Sequence, residues 1–343
     1  MKILLIGGTG FIGPFVIRDL QQAGHSVTVL HRGTTVPPHG VAEIIGDRNH
    51  LADYRDALAR EKFDLVIDFV LSSKRQAEQF MGTLREITGR VVVLSSMDAY
   101  RAWGVFTGME PGGLEPLPVT EDSALRTAPP YPPEVIKRLQ QMVSWADAEY
   151  DKVPVEGIVL GNATLPGTIL RLPMIYGSGD YAHRFHPFLK RMDDARRFIL
   201  FADDVAPVRT PRGYVEDVAA AIALAATSER AAGRTYNVCE SQSFSELEWA
   251  RKIAAAAGWE GEFVVLPRDK TPAHLIGPYK TAQHLVVSSA RIREELGYRE
   301  ATPPAVAFQR TIAWERAHPP ESVGVPFNYE AEDAALANLK ATA

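Results

Sequence analysis

The chain has 343 residues, of which 46% are hydrophobic and 23% charged, and its formal net charge at pH 7 is −5. This length is enough to bury a large core and favours two parts over one. The acidic balance gives no overall electrostatic footprint for nucleic acid or an anionic membrane, although it does not exclude a local basic patch. The single cysteine, Cys239, excludes an intrachain disulfide and favours a reducing compartment.

The first predicted elements surround a glycine motif. Ile3–Ile6 is a short apolar run typical of a buried strand, and Gly7, Gly10 and Gly13 separate it from apolar residues at helical spacing. Such a strand, turn and helix present backbone N–H groups to a pyrophosphate. A second predicted strand, Ser26–Leu30, supplies the β-α-β context that the motif requires. We therefore favour dinucleotide binding over a tight turn without a ligand.

Neither a leader peptide nor a membrane span is predicted. The N-terminal apolar run has only four residues before the glycines, which is too short for a signal peptide. No other run approaches the ~18 apolar residues of a transmembrane helix. We expect a cytoplasmic protein.

Strand and helix patterns alternate through the first half of the chain. Strands are predicted at 65–69, 91–94 and 168–172, and helices at about 52–60, 74–87 and 134–163. This alternation predicts an α/β fold, a Rossmann-type doubly wound parallel sheet. The Pro- and Gly-rich passage 101–133 lacks periodicity, so it is predicted to be a functional loop.

After residue 173 the pattern loosens. Helices are predicted at about 215–226 and 246–257, a strand at 235–238, and a helix-prone Ala-rich segment from about 331. We predict a dinucleotide-binding Rossmann domain over 1–172, with an active-site loop at 97–133. Residues 173–343 are predicted to be mainly a smaller α+β substrate-binding portion, some of whose elements return to the sheet.

Several segments resemble one enzyme superfamily. They are G-G-T-G-F-I-G at 7–13, V-V-V-L-S-S-M-D-A-Y at 91–100, L-R-L-P-M-I-Y-G at 170–177, Y-V-E-D-V-A at 214–219 and R-I-R-E-E-L-G-Y at 291–298. Together they resemble the extended short-chain dehydrogenase/reductase superfamily, in its NAD-dependent epimerase/dehydratase branch. The resemblance implies an NAD(P)-dependent oxidoreductase, epimerase or dehydratase. The expected substrate is a sugar nucleotide or a similar polar hydroxyl or carbonyl compound.

A closer likeness is to a subgroup containing chloroplast stem-loop-binding proteins and bacterial relatives. H-R-G at 31–33, G-D-R at 46–48 and Y-D-K-x-x-x-E at 150–156 carry it. Not all members are demonstrated enzymes. The alternative function is therefore a catalytically degenerate NAD(P)-binding protein that binds RNA or a protein partner. Relatives commonly dimerise through two helices, which here would be roughly 74–87 and 134–163.

The resemblance assigns the cofactor site. The turn residues expected to bind the cofactor are Gly7, Thr9, Gly10, Phe11, Ile12 and Gly13. Arg32 stands where an acid would select NAD, and a guanidinium there favours the extra phosphate of NADP. The alternative is that Arg32 stacks on the adenine or lies in solvent. Asp47 resembles the acid that meets the adenine amine, with a turn aspartate as its alternative.

The family's chemistry needs a serine, a tyrosine and a lysine around the substrate oxygen and the ribose. Ser96 matches the serine, and Asp98 stands where dehydratases carry a base, unless it caps loop N–H groups. Lys152 matches the lysine, but the residue four positions earlier is Ala148. The nearby tyrosine is Tyr150, which a regular helix would place about 200° from Lys152, although a helix that starts or kinks here would still bring Tyr150 towards the nicotinamide. Family members use a tyrosine of depressed pKa, and Tyr150 is the candidate for this proton donor.

Arginines in the second half are candidate substrate ligands. Arg184, Arg209 and Arg212 lie where relatives clamp a nucleotide-sugar diphosphate, and guanidinium groups suit bidentate pairing to phosphate. His183 and His186 are three residues apart, but no further metal ligands accompany them, so no metal site is predicted.

Overall fold

The structure is a computed structural model that describes residues 1–143, 145–321 and 326–342. Its strands are β1 (Lys2–Ile6), β2 (Ser26–His31), β3 (Ala42–Ile45), β4 (Leu65–Asp68), β5 (Val91–Ser96), β6 (Gly167–Leu172), β7 (Met174–Tyr176), β8 (Phe198–Ala202), β9 (Arg212–Tyr214), β10 (Thr235–Asn237) and β11 (Glu262–Leu266). Seven of them form a parallel sheet in the order β10-β6-β5-β4-β1-β2-β3. The Rossmann-type doubly wound sheet expected from the sequence is confirmed.

The helices pack on both faces of this sheet. They are α1 (Gly13–Gln22), α2 (Arg55–Glu61), α3 (Lys74–Leu84), α4 (Arg101–Thr107), α5 (Pro133–Met142), α6 (Lys152–Leu160), α7 (His186–Asp193), α8 (Val215–Thr227), α9 (Glu246–Ala257), α10 (Ala290–Leu296), α11 (Pro304–Ala317) and α12 (Tyr329–Thr342). Helices α1 and α8 pack together on one face, and α3 and α6 pack together on the other. The strand Ile3–Ile6 is fully buried, because both of its side-chain rows meet helices.

Two sequence predictions about the middle of the chain are wrong. The passage 101–133 is not free of regular structure, since it begins with α4. The helix predicted over 134–163 is two helices, α5 and α6. Helix α6 begins at Lys152, where the Asp151 carboxylate accepts the N–H of Val153 at 3.0 Å. Pro154 is tolerated because it falls in the first turn, where its missing N–H removes no helical hydrogen bond.

The second half of the chain both extends the sheet and adds to it. Strand β10 pairs with β6 at the sheet edge, while β7 pairs with β9 and β8 with β11 in two small sheets. The Ala-rich terminal segment forms α12, which docks through Glu332. That fully buried carboxylate pairs with Arg191 at 2.6 Å and accepts from His274 at 2.9 Å. Within the described ranges, every helix is too short or too polar to cross a membrane.

Candidate active site

A cavity of about 470 Å³, here the turn cavity, lies where β1 and β2 end. Residues 7–13 line it, and Gly7 and Gly8 have φ angles of +78° and +87°, which L side chains rarely adopt. A Cβ on Gly13 would lie 1.9 Å from the Gly8 carbonyl oxygen, whereas a Cβ on Gly10 would meet nothing within 4 Å. The turn is therefore closed on its inner side and open towards the cavity.

The start of α1 faces this cavity without a side-chain cap. Its N-cap is Ile12, whose side chain has no oxygen to accept the first N–H groups of the helix. Uncapped N–H groups and the positive end of the helix dipole attract an anion. The glycine turn and this helix start together fit the pyrophosphate of a dinucleotide.

The far wall of the turn cavity carries the residues predicted to select the cofactor. Arg32 and Asp47 both line it. The Asp47 carboxylate accepts the N–H of Asn49 at 2.8 Å, so it also caps a short helical turn. His31 is buried, and its Nε2 is 2.9 Å from the Glu43 carboxylate. Contact of Arg32 or Asp47 with a cofactor stays a prediction.

Arg48 is a cavity residue that sequence reasoning did not assign. Its Nη2 donates to Asp68 at 2.9 Å, while its Nε and Nη1 are buried without a described partner. The only signal in the sequence was its place in the G-D-R segment, which carried a family likeness but no role.

A second cavity of about 500 Å³, here the tyrosine cavity, adjoins the first. The two share wall residues, namely Ile12, Phe69, Trp145, Pro173, Ile175, Tyr181 and Arg184. Ser96, Asp98, Tyr150 and Lys152 all line the tyrosine cavity. The structure therefore brings the four predicted catalytic residues together beside the turn cavity.

The centre of the tyrosine cavity is Asp98, which follows β5. Ser96 Oγ accepts the N–H of Asp98 at 3.2 Å, which fixes the turn between them. The Asp98 Oδ2 accepts the Tyr150 hydroxyl at 2.9 Å and the Tyr131 hydroxyl at 3.3 Å, while Oδ1 is buried without a described partner. The described bonds of this carboxylate thus come from phenols and not from the loop N–H groups that its alternative role required.

Burial sets the proton affinities of this cluster. It raises the pKa of Asp98, against the opposing effects of Arg126, Tyr150, Lys152 and Tyr131. Burial and the Asp98 carboxylate together raise the pKa of Tyr150 well above its usual value. This direction is opposite to the depressed tyrosine pKa that the family resemblance implied.

Tyr150 and Lys152 are not on different faces of one helix, because Tyr150 precedes α6. The 200° separation applies to a regular helix through both residues, whereas the structure has the alternative, a helix that starts at Lys152. The Lys152 ammonium lies 5.8 Å from the centre of the Tyr150 ring. It donates to the carbonyls of Leu71 and Leu94, and burial lowers its pKa to about 8.

The three candidate arginines differ in their partners and in whether they line a cavity. Arg184 lines both cavities, where it donates to the Ile175 carbonyl at 2.9 Å and to Asp180 at 2.5 Å. Arg212 pairs with Glu246 at 2.6 Å, and Arg209 donates to the Ser243 carbonyl. Of these three, only Arg184 is among the residues that line the two cavities.

Tyr131 was not among the residues predicted from the sequence, and no metal site was predicted at His183 and His186. Tyr131 comes from the proline-rich loop, and its only sequence signal was an aromatic residue within P-P-Y-P-P. His183 is 2.7 Å from Glu315 and stacks on Trp314. Over the described parts of the chain, no three His, Cys, Asp or Glu side chains come together as metal ligands.

Comparison with known proteins gives partial matches to several curated enzymes. UDP-glucose 4-epimerase of Lactobacillus helveticus is 30% identical over 162 residues, which is 43% of this chain and 47% of that protein. The 2'-dehydrokanamycin reductase of Streptomyces kanamyceticus is 34% identical over 155 residues, 43% of this chain and 39% of that protein. The chain thus spans less than half the length of these relatives.

The likeness to chloroplast stem-loop-binding proteins is present at low identity. The Arabidopsis thaliana protein of 41 kDa b is 27% identical over 130 residues, 34% of this chain and 34% of that protein. Among solved structures, the Bordetella bronchiseptica enzyme WbmG in complex with NAD matches with a TM-score of 0.67 at 17% identity. That match covers 93% of this chain and 94% of that chain, and it supports the fold alone.

A sequence model of a protein family matches the part of the chain that forms most of the sheet and of the two cavity walls. The model for the NAD dependent epimerase/dehydratase family matches residues 3–239. This range includes the glycine turn, Asp98, Tyr150 and Lys152. The chain belongs to the NAD dependent epimerase/dehydratase family.

Proposed function

We propose that the protein is an NAD(P)-dependent enzyme of the oxidoreductase, epimerase or dehydratase type. Its substrate would be a sugar nucleotide or another small molecule with a polar hydroxyl or carbonyl group. The observation that carries this proposal is the 2.9 Å hydrogen bond from Tyr150 to Asp98 in a cavity that adjoins the glycine turn. Proton-transfer groups beside a dinucleotide site are what alcohol and carbonyl chemistry requires.

The turn cavity would hold the cofactor. Its pyrophosphate would lie on the N–H groups of the glycine turn and the start of α1. A Lys ammonium has three N–H donors, and the described carbonyl partners of Lys152 use two of them, so the third would bind a ribose hydroxyl. When bound, a nicotinamide dinucleotide supplies a hydride acceptor or donor. Arg32 favours NADP over NAD, because a guanidinium pairs well with a 2'-phosphate.

The protein's own part in the reaction would be proton transfer. With a hydroxyl substrate, the Tyr150 oxygen accepts the substrate proton while Tyr150 gives its own proton to Asp98 Oδ2. With a carbonyl substrate, a protonated Asp98 returns the proton along the same route. The raised pKa of Tyr150 keeps its phenol protonated between these events, so Asp98 is the terminal base and Tyr150 the relay. Ser96 Oγ would hold the substrate oxygen.

The substrate class follows from the relatives and from Arg184. The names of two relatives state a nucleotide sugar and an aminoglycoside derivative, both of which present secondary hydroxyl or keto carbons. Arg184 lines both cavities and would face a substrate diphosphate. Roles of Arg209 and Arg212 in substrate binding are disfavoured by their ion pairs with Glu248 and Glu246.

The first experiment releases any retained nucleotide from the purified protein by denaturation and identifies it by mass spectrometry. NADP and NAD are then titrated into the protein, and UDP-sugars and keto-sugars are tested for turnover. Retained oxidised cofactor would favour an epimerase or dehydratase, while reversible NADPH binding would favour a reductase. Arg32→Ala should lower the preference for NADP over NAD by about tenfold, and an unchanged ratio would remove Arg32 from cofactor selection.

The competing function is tested in the same preparation. If neither dinucleotide binds, and a stem-loop RNA binds with an affinity that falls steeply with salt, the enzymatic proposal is wrong. A homodimer through the helices at roughly 74–87 and 134–163, which are α3, α5 and α6 in the structure, also stays a prediction, which sedimentation of the purified protein tests.

A further inference from the structure

Tyr131 is held by a stiff part of the loop between α4 and α5. Prolines occupy positions 129, 130, 132 and 133 on both sides of it, and each restricts its own backbone and that of the residue before it. The Tyr131 ring packs edge-on against Trp103, with centroids 6.3 Å apart, and lies 6.2 Å from the Tyr150 ring. The loop therefore presents this phenol to the tyrosine cavity in a fixed place.

The two tyrosines share one acceptor. Both hydroxyls donate to Asp98 Oδ2, from 3.3 Å for Tyr131 and 2.9 Å for Tyr150. Two donors on one carboxylate oxygen stabilise the ionised form and fix the rotation of the carboxyl group. The proposed relay needs one carboxylate oxygen of Asp98 to stay within hydrogen-bond distance of the Tyr150 hydroxyl.

The other charged groups that face Asp98 come from several elements. Arg126 follows α4, donates its Nε to the Asp98 carbonyl and pairs with Asp151 at 2.7 Å. Lys152 lies at the start of α6 and acts on Asp98 through its charge. The described bonds of Arg126 and Lys152 do not involve the Tyr131 hydroxyl, so removing that hydroxyl is expected to change one hydrogen bond of Asp98.

We propose that Tyr131 is a positioning residue that sets the proton affinity of Asp98 and holds its carboxylate in the orientation that meets Tyr150, an inference that rests on the proposed function only for its catalytic consequence. Tyr131 acts through Asp98 and carries no proton in the relay. Removing its hydroxyl leaves the anion with one phenol donor, so Asp98 binds a proton more tightly.

The test uses the ligand-free full-length protein and needs no substrate. Infrared difference spectra follow the protonated carboxyl band through a pH titration, and Asp98→Asn identifies the Asp98 band by its loss. Tyr131→Phe should move the titration midpoint of that band upward by about 1 pH unit. Tyr236→Phe is the matched control, because it also removes a phenol–carboxylate bond (2.8 Å to Glu295) outside both cavity walls. An unchanged midpoint in folded Tyr131→Phe would overturn the proposal.

A second variant covers the case in which Tyr131→Phe does not fold. Incorporating 3-fluorotyrosine at position 131 keeps the ring and strengthens the donor, so the Asp98 midpoint should fall. No fall would contradict the proposal.

The catalytic consequence is measured separately. In Tyr131→Phe the pH midpoint of the acid limb of the kcat profile for hydroxyl oxidation should move upward by the same amount as the infrared midpoint. The plateau value of kcat should change much less than in Tyr150→Phe. A lowered plateau with no displaced limb would make Tyr131 merely structural. If no substrate turns over, the proposed function fails. The infrared midpoint still tests whether Tyr131 sets the proton affinity of Asp98, because that measurement needs no substrate.

Discussion

The turn cavity and the tyrosine cavity share a wall, yet they use different chemical groups. The turn cavity offers backbone N–H groups and a helix start, whose partial charges do not change with pH. The tyrosine cavity offers the Asp98 carboxylate, the phenols of Tyr131 and Tyr150 and the Lys152 ammonium, all titratable and all buried except the half-buried Tyr131. The turn cavity can bind an anion whose charge does not change, and the tyrosine cavity can transfer a proton.

This difference assigns cofactor binding to the turn cavity and proton transfer to the adjoining tyrosine cavity. Substitutions in the turn cavity should change affinity and folding, because they alter the shape of the backbone. Substitutions in the tyrosine cavity should change rate and pH dependence, because they alter proton affinities. The expected effects below test this division, from the largest to the smallest.

The largest effect is expected at Asp98 and Tyr150. Asp98→Asn and Tyr150→Phe should each lower kcat by about 10²–10⁴-fold, since each removes one step of the proton relay. Their dinucleotide affinity should stay within about twofold of the wild type, as measured by fluorescence titration. Tyr329→Phe, which loses a phenol–carboxylate bond to Asp194 outside both cavity walls, should keep full turnover. A large loss of dinucleotide affinity in Asp98→Asn would contradict the division.

Two glycines of the turn should separate folding from binding. Gly13→Ala places a Cβ against the Gly8 carbonyl, so the free energy of unfolding should fall by about 3 kcal/mol and dinucleotide binding should be lost. Gly10→Ala has free space in the unliganded protein, so it should keep its stability but lose dinucleotide affinity by more than about tenfold. Urea denaturation and titration measure the two effects. Gly157→Ala, at an exposed position of α6, is the control, and wild-type binding by Gly10→Ala would show that the cofactor lies elsewhere.

The buried ammonium of Lys152 should make stability depend on pH. Its pKa is about 8 in the folded protein against 10.5 for the free side chain, so the unfolded chain binds more protons between these values. This group therefore raises the free energy of unfolding as pH rises, by up to about 1.4 kcal/mol per pH unit. Denaturation at pH 8 to 10 should show a smaller gain in Lys152→Met than in the wild type. Lys270→Met, at an exposed position, should keep the wild-type slope, and equal slopes in all three proteins would contradict the expectation.

The smallest effect is expected at Arg209. Its contacts are the Ser243 carbonyl and a half-exposed pair with Glu248, and such surface pairs contribute about 0–1 kcal/mol. Arg209→Ala should therefore change KM by less than about threefold in steady-state kinetics. A much larger rise in KM would restore the sequence prediction that this residue binds substrate.

The two cavities also differ in how far the sequence predicts them. The glycine turn is contiguous, so its spacing between a strand and a helix was enough to indicate a dinucleotide site. Asp98 was found because segment 91–100 resembles a family segment in which dehydratases carry an acid at this position. The tyrosine cluster consists of residues 98, 131 and 150, which are far apart in the sequence. The segment between them has no periodic pattern, so the sequence did not predict that the three residues meet. The helix over 134–163 was predicted as continuous because its composition favours helix, whereas Asp151 starts a new helix.

The pairing of Glu332 with Arg191 and His274 bears on how this protein can be shortened for crystallisation. Trimming the chain before Tyr329 would remove α12 and with it the only described carboxylate in ion-pair distance of Arg191. A buried guanidinium deprived of its anion costs about 3–5 kcal/mol, a large part of the stability of an ordinary domain. The Ala-rich terminal segment is thus a poor place to truncate the chain, although its composition alone would suggest that it is dispensable.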